Sequence, residues 1–114
     1  MIMKGMDFNM TEKEAKKLLF LVIIAGRKRK DDLLKALCKA GGHFITIYYG
    51  KGSVKAGFLL DAFGLVAEEN KVIITCLCMH NEAEAIFDML VKDFKFTKPN
   101  TGIAYTIPVS MLAY

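Results

Sequence analysis

Two stretches of this 114-residue chain, 18–25 (Leu-Leu-Phe-Leu-Val-Ile-Ile-Ala) and 72–79 (Val-Ile-Ile-Thr-Cys-Leu-Cys-Met), are apolar almost without interruption. Alternation marks a strand with one wet face, and a spacing of three to four marks an amphipathic helix. An unbroken short run rich in Leu, Val and Ile marks a strand covered on both faces. Neither run approaches the ~20 apolar residues that span a bilayer as a helix. Asp7, Glu12 and Glu14 precede the first run and a basic cluster follows it, the reverse of a secretory signal. A fold for this chain must therefore cover both sides of two strands. At 54% hydrophobic and 25% charged residues with only 2 Pro, the chain is too apolar to be disordered and has the size of one domain. Its 3 Cys, an odd count with no spaced framework, point to a reducing cytoplasm.

The remaining segments supply the other elements. Residues 1–15, with four methionines, are a peripheral lead-in, and 16–114 form a single domain. Residues 30–40 are a helix: Leu33, Leu34, Leu37 and Ala40 share a face, Asp31 and Asp32 occupy the first turn, and Gly41-Gly42 ends it. The β-branched and aromatic stretch 43–49 is a strand. Residues 50–57 are a loop, 58–65 read as two helical turns ended by Gly64, and 71–79 is the third strand. Asn81, with Glu84 three residues on, starts a second helix whose Ala83, Ile86, Phe87, Leu90 and Phe94 form a stripe. A turn at 98–102 leads to a last strand, 103–109, which Pro108 confines to a sheet edge. The order strand, helix, strand, strand, helix, strand is that of the ferredoxin-like α+β fold, a four-stranded antiparallel sheet with both helices on one face. The helices cover one side only, so the second apolar face calls for self-association.

Charge is uneven. Residues 1–57 carry 12 Lys+Arg against 5 Asp+Glu, and 58–114 carry 4 against 7, which favours an anionic ligand or partner on one side, or a solvated basic face. Gly50-Lys51-Gly52-Ser53 could cradle an anion with backbone N–H groups, or serve as a flexible strand exit. Arg27, Lys28, Arg29 and Lys30 stand at a helix entry that favours anions. Cys76, Cys78 and His80 would share a face if the strand ran on through His80, yet a lone C-x-C pair is incomplete for zinc and buried Cys is common; no metal site is expected. Cys38 has no His near it in sequence, His43 and His80 form no triad, and Asp31 and Asp32 diverge on a helix, so no catalytic set emerges. The third strand lacks the aromatic residues of an RNA-recognition sheet, so no nucleic-acid partner is expected.

The segments Ile24-Ala25-Gly26-Arg27-Lys28-Arg29-Lys30-Asp31-Asp32-Leu33, Tyr49-Gly50-Lys51-Gly52-Ser53 and Asn100-Thr101-Gly102-Ile103-Ala104-Tyr105-Thr106-Ile107-Pro108-Val109 together resemble the P-II nitrogen-regulator superfamily, in its element order and across residues 16–111. The resemblance implies a homotrimer with the sheets facing the three-fold axis. It also implies a loop after the second strand that touches target proteins, and adenine nucleotides held in clefts between subunits near the base of that loop. It assigns Gly50, Lys51, Gly52, Ser53, Thr101 and Gly102 to a small anionic or nucleotide ligand. Phe58, Leu59, Leu60 and Phe63, in the 53–70 loop, are assigned to a target protein; the alternative is that these rings close the subunit cleft. Asn100-Thr101-Gly102-Ile103 stands where the family has Gly-Asp-Gly-Lys, so Ile103 replaces the phosphate-neutralising lysine and the cofactor is left unassigned. The family's arginine-bearing C-terminal loop has no counterpart before Tyr114, and 53–70 offers no tyrosine for uridylylation. The segment Leu59-Leu60-Asp61-Ala62-Phe63-Gly64-Leu65 resembles that of a PII-like subgroup. The expectation is a cytoplasmic signal-transduction protein of nitrogen metabolism, not an enzyme. The alternatives are a metal-binding trimer of the CutA type and an acylphosphatase-like enzyme, of whose phosphate loop Gly26-Arg27 is a fragment.

Overall fold

A computed structural model of the chain describes residues 3–4, 18–51, 70–98 and 101–113. Strand β1 is Met3–Lys4 and β2 is Leu18–Gly26; a 3-10 turn, Arg27–Arg29, runs into helix α1, Lys30–Ala40. Strand β3, His43–Lys51, and strand β4, Asn70–Met79, precede helix α2, His80–Lys92; strands β5, Gly102–Pro108, and β6, Leu112–Ala113, end the chain. The main sheet has the order β3-β4-β2-β5, antiparallel throughout, and β1 pairs with β6 in parallel. This is the ferredoxin-like arrangement that the element order predicts. The 58–65 turns and most of the 1–15 lead-in lie outside the described residues.

The two apolar runs occupy the two central positions. In register, Leu19 faces Cys78, Leu21 faces Cys76, Ile23 faces Ile74 and Ala25 faces Val72, and these eight form the floor of the core beneath Leu33 and Leu37 of α1 and Ala83, Ile86 and Leu90 of α2. Leu21, Ile23, Ile74, Leu33, Leu37, Ile86 and Leu90 are fully buried, each contributing about 1.5–3 kcal/mol by removal from water. The alternate residues face away from the helices. There Leu18, Val22, Lys71 and Thr75 are buried, Phe20, Ile24, Ile73, Leu77 and Ile103 are half-buried, and Tyr48, Tyr105 and Ile107 are exposed on the edge strands.

Helix α1 ends as the glycine pair predicts: Gly41 takes φ +94 and the Gly42 N–H reaches the Leu37 carbonyl at 3.0 Å. The start of α2 differs from the expected Asn81–Glu84 box. β4 stays paired with β2 up to Met79 opposite Leu18 and turns directly into the helix, so Glu82 falls at the third helical position and its Oε1 accepts the Met79 N–H at 2.8 Å. Glu84 instead lies 3.4 Å from His80. Phe94 lies beyond the end of α2, not on its stripe. It is buried within a turn in which Lys95 adopts φ +59 and the Phe96 N–H returns to the Leu90 carbonyl. The last strand ends at Pro108 rather than at Val109, whose N–H bonds the Leu18 carbonyl at 3.1 Å. Pro108 does lie on an edge strand.

Cys76 and Cys78 point into the core, and burial, reinforced by Cys78 and Glu82, pushes the Cys76 thiol up to about 12. Cys38 is exposed on α1. Native protein should therefore react at one of its 3 thiols with a maleimide at neutral pH and at all of them in denaturant, read by intact mass; rapid native labelling of Cys76 would contradict the packing.

Candidate functional site

The antiparallel order brings the ends of β2 and β3 and the starts of β4 and β5 to one end of the sheet. Lys71 is paired with both Gly26 and Gly50, Lys51 with Asn70, and Gly102 with Ala25. Gly50, Lys51, Thr101 and Gly102 thus share this end, whereas the Lys51 side chain, Gly52, Ser53, Phe58, Leu59, Leu60 and Phe63 lie outside the described residues. Within one chain the two groups are not in contact. They belong to opposite edge strands, three strand spacings or roughly 14 Å apart. Lys71, which no sequence motif marks, is a buried lysine paired with Gly26 on one side and Gly50 on the other.

The basic cluster arches over this end. Arg27 lies 4.8 Å from the Tyr49 ring centre and Lys30 5.6 Å from it, geometries in which the ring's quadrupole attracts a cation. Lys30 Nζ donates to the Tyr49 hydroxyl at 3.1 Å. That bond and the Tyr49 oxygen, with Asp31 adding, hold the ammonium pKa above its ordinary value. Arg29 turns the other way and donates to the Thr101 carbonyl at 2.9 Å and the Phe94 carbonyl at 2.6 Å. Thr101 Oγ1 in turn donates to the Lys98 carbonyl at 2.7 Å, so this side chain first serves its own loop. Arg29 and Tyr49 were legible only as one basic and one aromatic residue, since their partners lie 19 to 72 residues away.

Two glycines of the site differ in kind. A Cβ on Gly102 would come within 2.5 Å of the Phe96 ring, while one on Gly50 meets nothing within 4 Å among the described residues. Gly102 is demanded by packing, and Gly50 leaves open space at the sheet end.

At the opposite end, Cys76, Cys78 and His80 do not share a face. β4 stops at Met79, His80 moves onto α2 and into solvent, and both thiols stay in the core. Among the described residues no group of three His, Cys, Asp or Glu is placed to hold a metal ion. His43 and His80 each approach a glutamate, Glu82 at 3.6 Å and Glu84 at 3.4 Å. No helix of the described residues is long and apolar enough to cross a membrane.

No protein-family model matches the chain, and no curated protein matches it in sequence. Solved structures do match. A PII-like signalling protein from Thermus thermophilus has 20% identity and a TM-score of 0.61 over 81% of this chain and 86% of its own. CPII from Thiomonas intermedia, bound to ADP, AMP and acetate, has 14% identity and a TM-score of 0.63 over 81% and 85%. Arabidopsis thaliana PII bound to citrate has 19% identity and a TM-score of 0.60 over 83% and 79%. The chain has the fold of the PII-like signalling proteins. At these identities the likeness is one of backbone. In this PII-like fold, the glycine, lysine and threonine positions described above all fall at the sheet end from which the 53–70 segment departs.

Gly102→Ala should therefore lower stability by about 1–3 kcal/mol, the usual range for forcing atoms into a packed site, while Gly50→Ala should leave it within about 0.5 kcal/mol. Urea unfolding of both variants checks this, and equal losses would contradict the distinction.

Proposed function

We propose that the chain is a PII-like regulatory protein of the cytoplasm, a homotrimer that senses a small anionic or nucleotide ligand and acts on a target protein through residues 53–70. The observation that carries this reading is the convergence of Gly50 and Lys51, the buried Lys71, and Thr101 and Gly102 at one end of the sheet. Beside it stands a fold shared with CPII, which holds ADP, AMP and acetate. The resemblance adds nitrogen metabolism as the process and regulation, rather than catalysis, as the activity.

The trimer reading is supported by the sheet face that the helices leave bare. Phe20, Ile24, Ile73 and Leu77 line the two central strands there and Tyr105 and Ile107 the edge. A closed ring with head-to-tail contacts buries such a face and sets the β3 edge of one subunit beside the β5 edge of the next. That closure would bring Gly50, Lys51, Gly52 and Ser53 of one copy to Thr101 and Gly102 of another across the roughly 14 Å that separates them within one sheet. Ile103 leaves no lysine at the β5 edge, so phosphate or carboxylate would be neutralised from the β3 side, by Lys51 and the basic turn.

Titration calorimetry with ATP, ADP, AMP, cyclic nucleotides and bicarbonate tests the ligand. Binding of at least one is expected. Lys51→Ala should weaken it about tenfold, the scale of one charge-assisted hydrogen bond, and raised salt should weaken it further. No heat with any of them would reduce the reading to a protein-binding module. For the output segment, Phe58→Ser with Phe63→Ser should leave the melting temperature nearly unchanged and abolish capture of the target. Loss of two packed rings, on the order of 2–3 kcal/mol each, would assign them to the subunit cleft instead.

A further inference from the structure

Four consecutive basic residues occupy 27–30, and the structure divides them between two tasks. Arg29 faces the β5 edge. Its two terminal nitrogens donate to the carbonyls of Thr101 and Phe94 at 2.9 and 2.6 Å, and its guanidinium lies 5.1 Å from the Phe94 ring centre and 5.7 Å from that of Phe96. The Phe96 ring occupies the space beside Gly102 that a Cβ would need. Arg27 and Lys30 face the β3 edge, where both lie over the Tyr49 ring and Lys30 also bonds its hydroxyl. Tyr49 is followed at once by Gly50 and Lys51, the last residues of β3. The side chains stand on one short stretch, the 3-10 turn Arg27–Arg29 and the first residue of α1, Lys30, which continues it. It touches Tyr49 on the β3 edge and the 94–101 segment that leads into the β5 edge, and the sheet order sets β4 and β2 between those edges.

We propose that this turn is a mechanical tie between the two edges, with Arg29 as its positioning residue. A shift of the Phe96–Gly102 edge is passed through Arg29 to the turn, and by Arg27 and Lys30 to Tyr49 and the base of the 53–70 segment. Arginine suits the task because its planar fork reaches two carbonyls at once and stacks on rings, which a lysine ammonium does not do. A rigid element that contacts two sites can carry coupling between them, and among the described residues the 27–30 turn contacts both Tyr49 and the 94–101 segment. The regulatory meaning of the tie, ligand contacts at the β5 edge sensed at the base of the 53–70 segment, rests on the function proposed above; the tie itself is a property of the fold and is tested without ligand.

The experiment places 3-fluorotyrosine in the full chain, assigns the Tyr49 fluorine resonance with Tyr49→Phe, and perturbs the far edge with Phe96→Leu. The Tyr49 resonance should move by more than its linewidth in the otherwise native chain and stay in place when Phe96→Leu is combined with Arg29→Lys. Should Arg29→Lys fold poorly, the pair Arg27→Gln with Lys30→Gln, at the Tyr49 end of the tie, should abolish the response equally. Ile86→Val, a core change in α2 away from the turn, should not move Tyr49. A Tyr49 resonance indifferent to Phe96→Leu, or one that responds equally without Arg29 or to Ile86→Val, overturns the tie. An intact response in a chain that binds none of the calorimetric probes would remove the proposed ligand and leave the tie standing; binding without the response would do the reverse.

Discussion

Everything in this molecule follows from placing β2 and β4 side by side at the centre of the sheet. Both are apolar on both faces, and their register sets Leu21 against Cys76 and Ile23 against Ile74 under the helices, with Phe20 against Leu77 and Ile24 against Ile73 on the reverse. The two helices satisfy the first face and bury it fully. The second face is left half-covered in a single chain, with Tyr48, Tyr105 and Ile107 exposed at its margins. Apolar side chains that the helices leave partly exposed favour association, and this is the physical root of the proposed trimer.

The same antiparallel order decides where chemistry can gather. Strand ends that are far apart in sequence meet at one end of the sheet, and among the described residues the stiff connection there is the turn that leads from β2 into α1. Its four cations are not one anion-binding patch. Arg29 is committed to the carbonyls of Thr101 and Phe94, which leaves Arg27, Lys28 and Lys30, two of them over the Tyr49 ring, to meet the proposed anion. Sheet end, basic turn and bare face are thus consequences of one topology rather than separate features.

Much of the fold was legible because burial leaves a periodic trace. The runs at 18–25 and 72–79, the 3-to-4 spacing of Leu33, Leu37, Ile86 and Leu90, and the Gly41-Gly42 stop each encode a local requirement that tertiary packing does not override. The misplaced helix start at Asn81 shows the limit: where a strand turns into a helix without a loop, the cap is fixed by the last sheet pair, Leu18 with Met79, not by local polar residues. The candidate site was legible only in part. Glycines and a lysine mark a strand exit, but whether a glycine is required depends on a distant ring, as Phe96 does for Gly102 and nothing described does for Gly50. The inward turn of Arg29 rests on contacts 65 and 72 residues away, for which the sequence carries no local signal.

The proposed trimer requires other copies of the same chain to cover the reverse face of the sheet. Multi-angle light scattering on the intact protein at micromolar concentration, with Leu77→Asp alongside, tests it most directly, since a charge buried without a partner in an interface is strongly unfavourable. The native sequence should scatter as a particle of three 12.7 kDa chains, and the variant should shift toward monomer. A native protein that scatters as a folded monomer would contradict it.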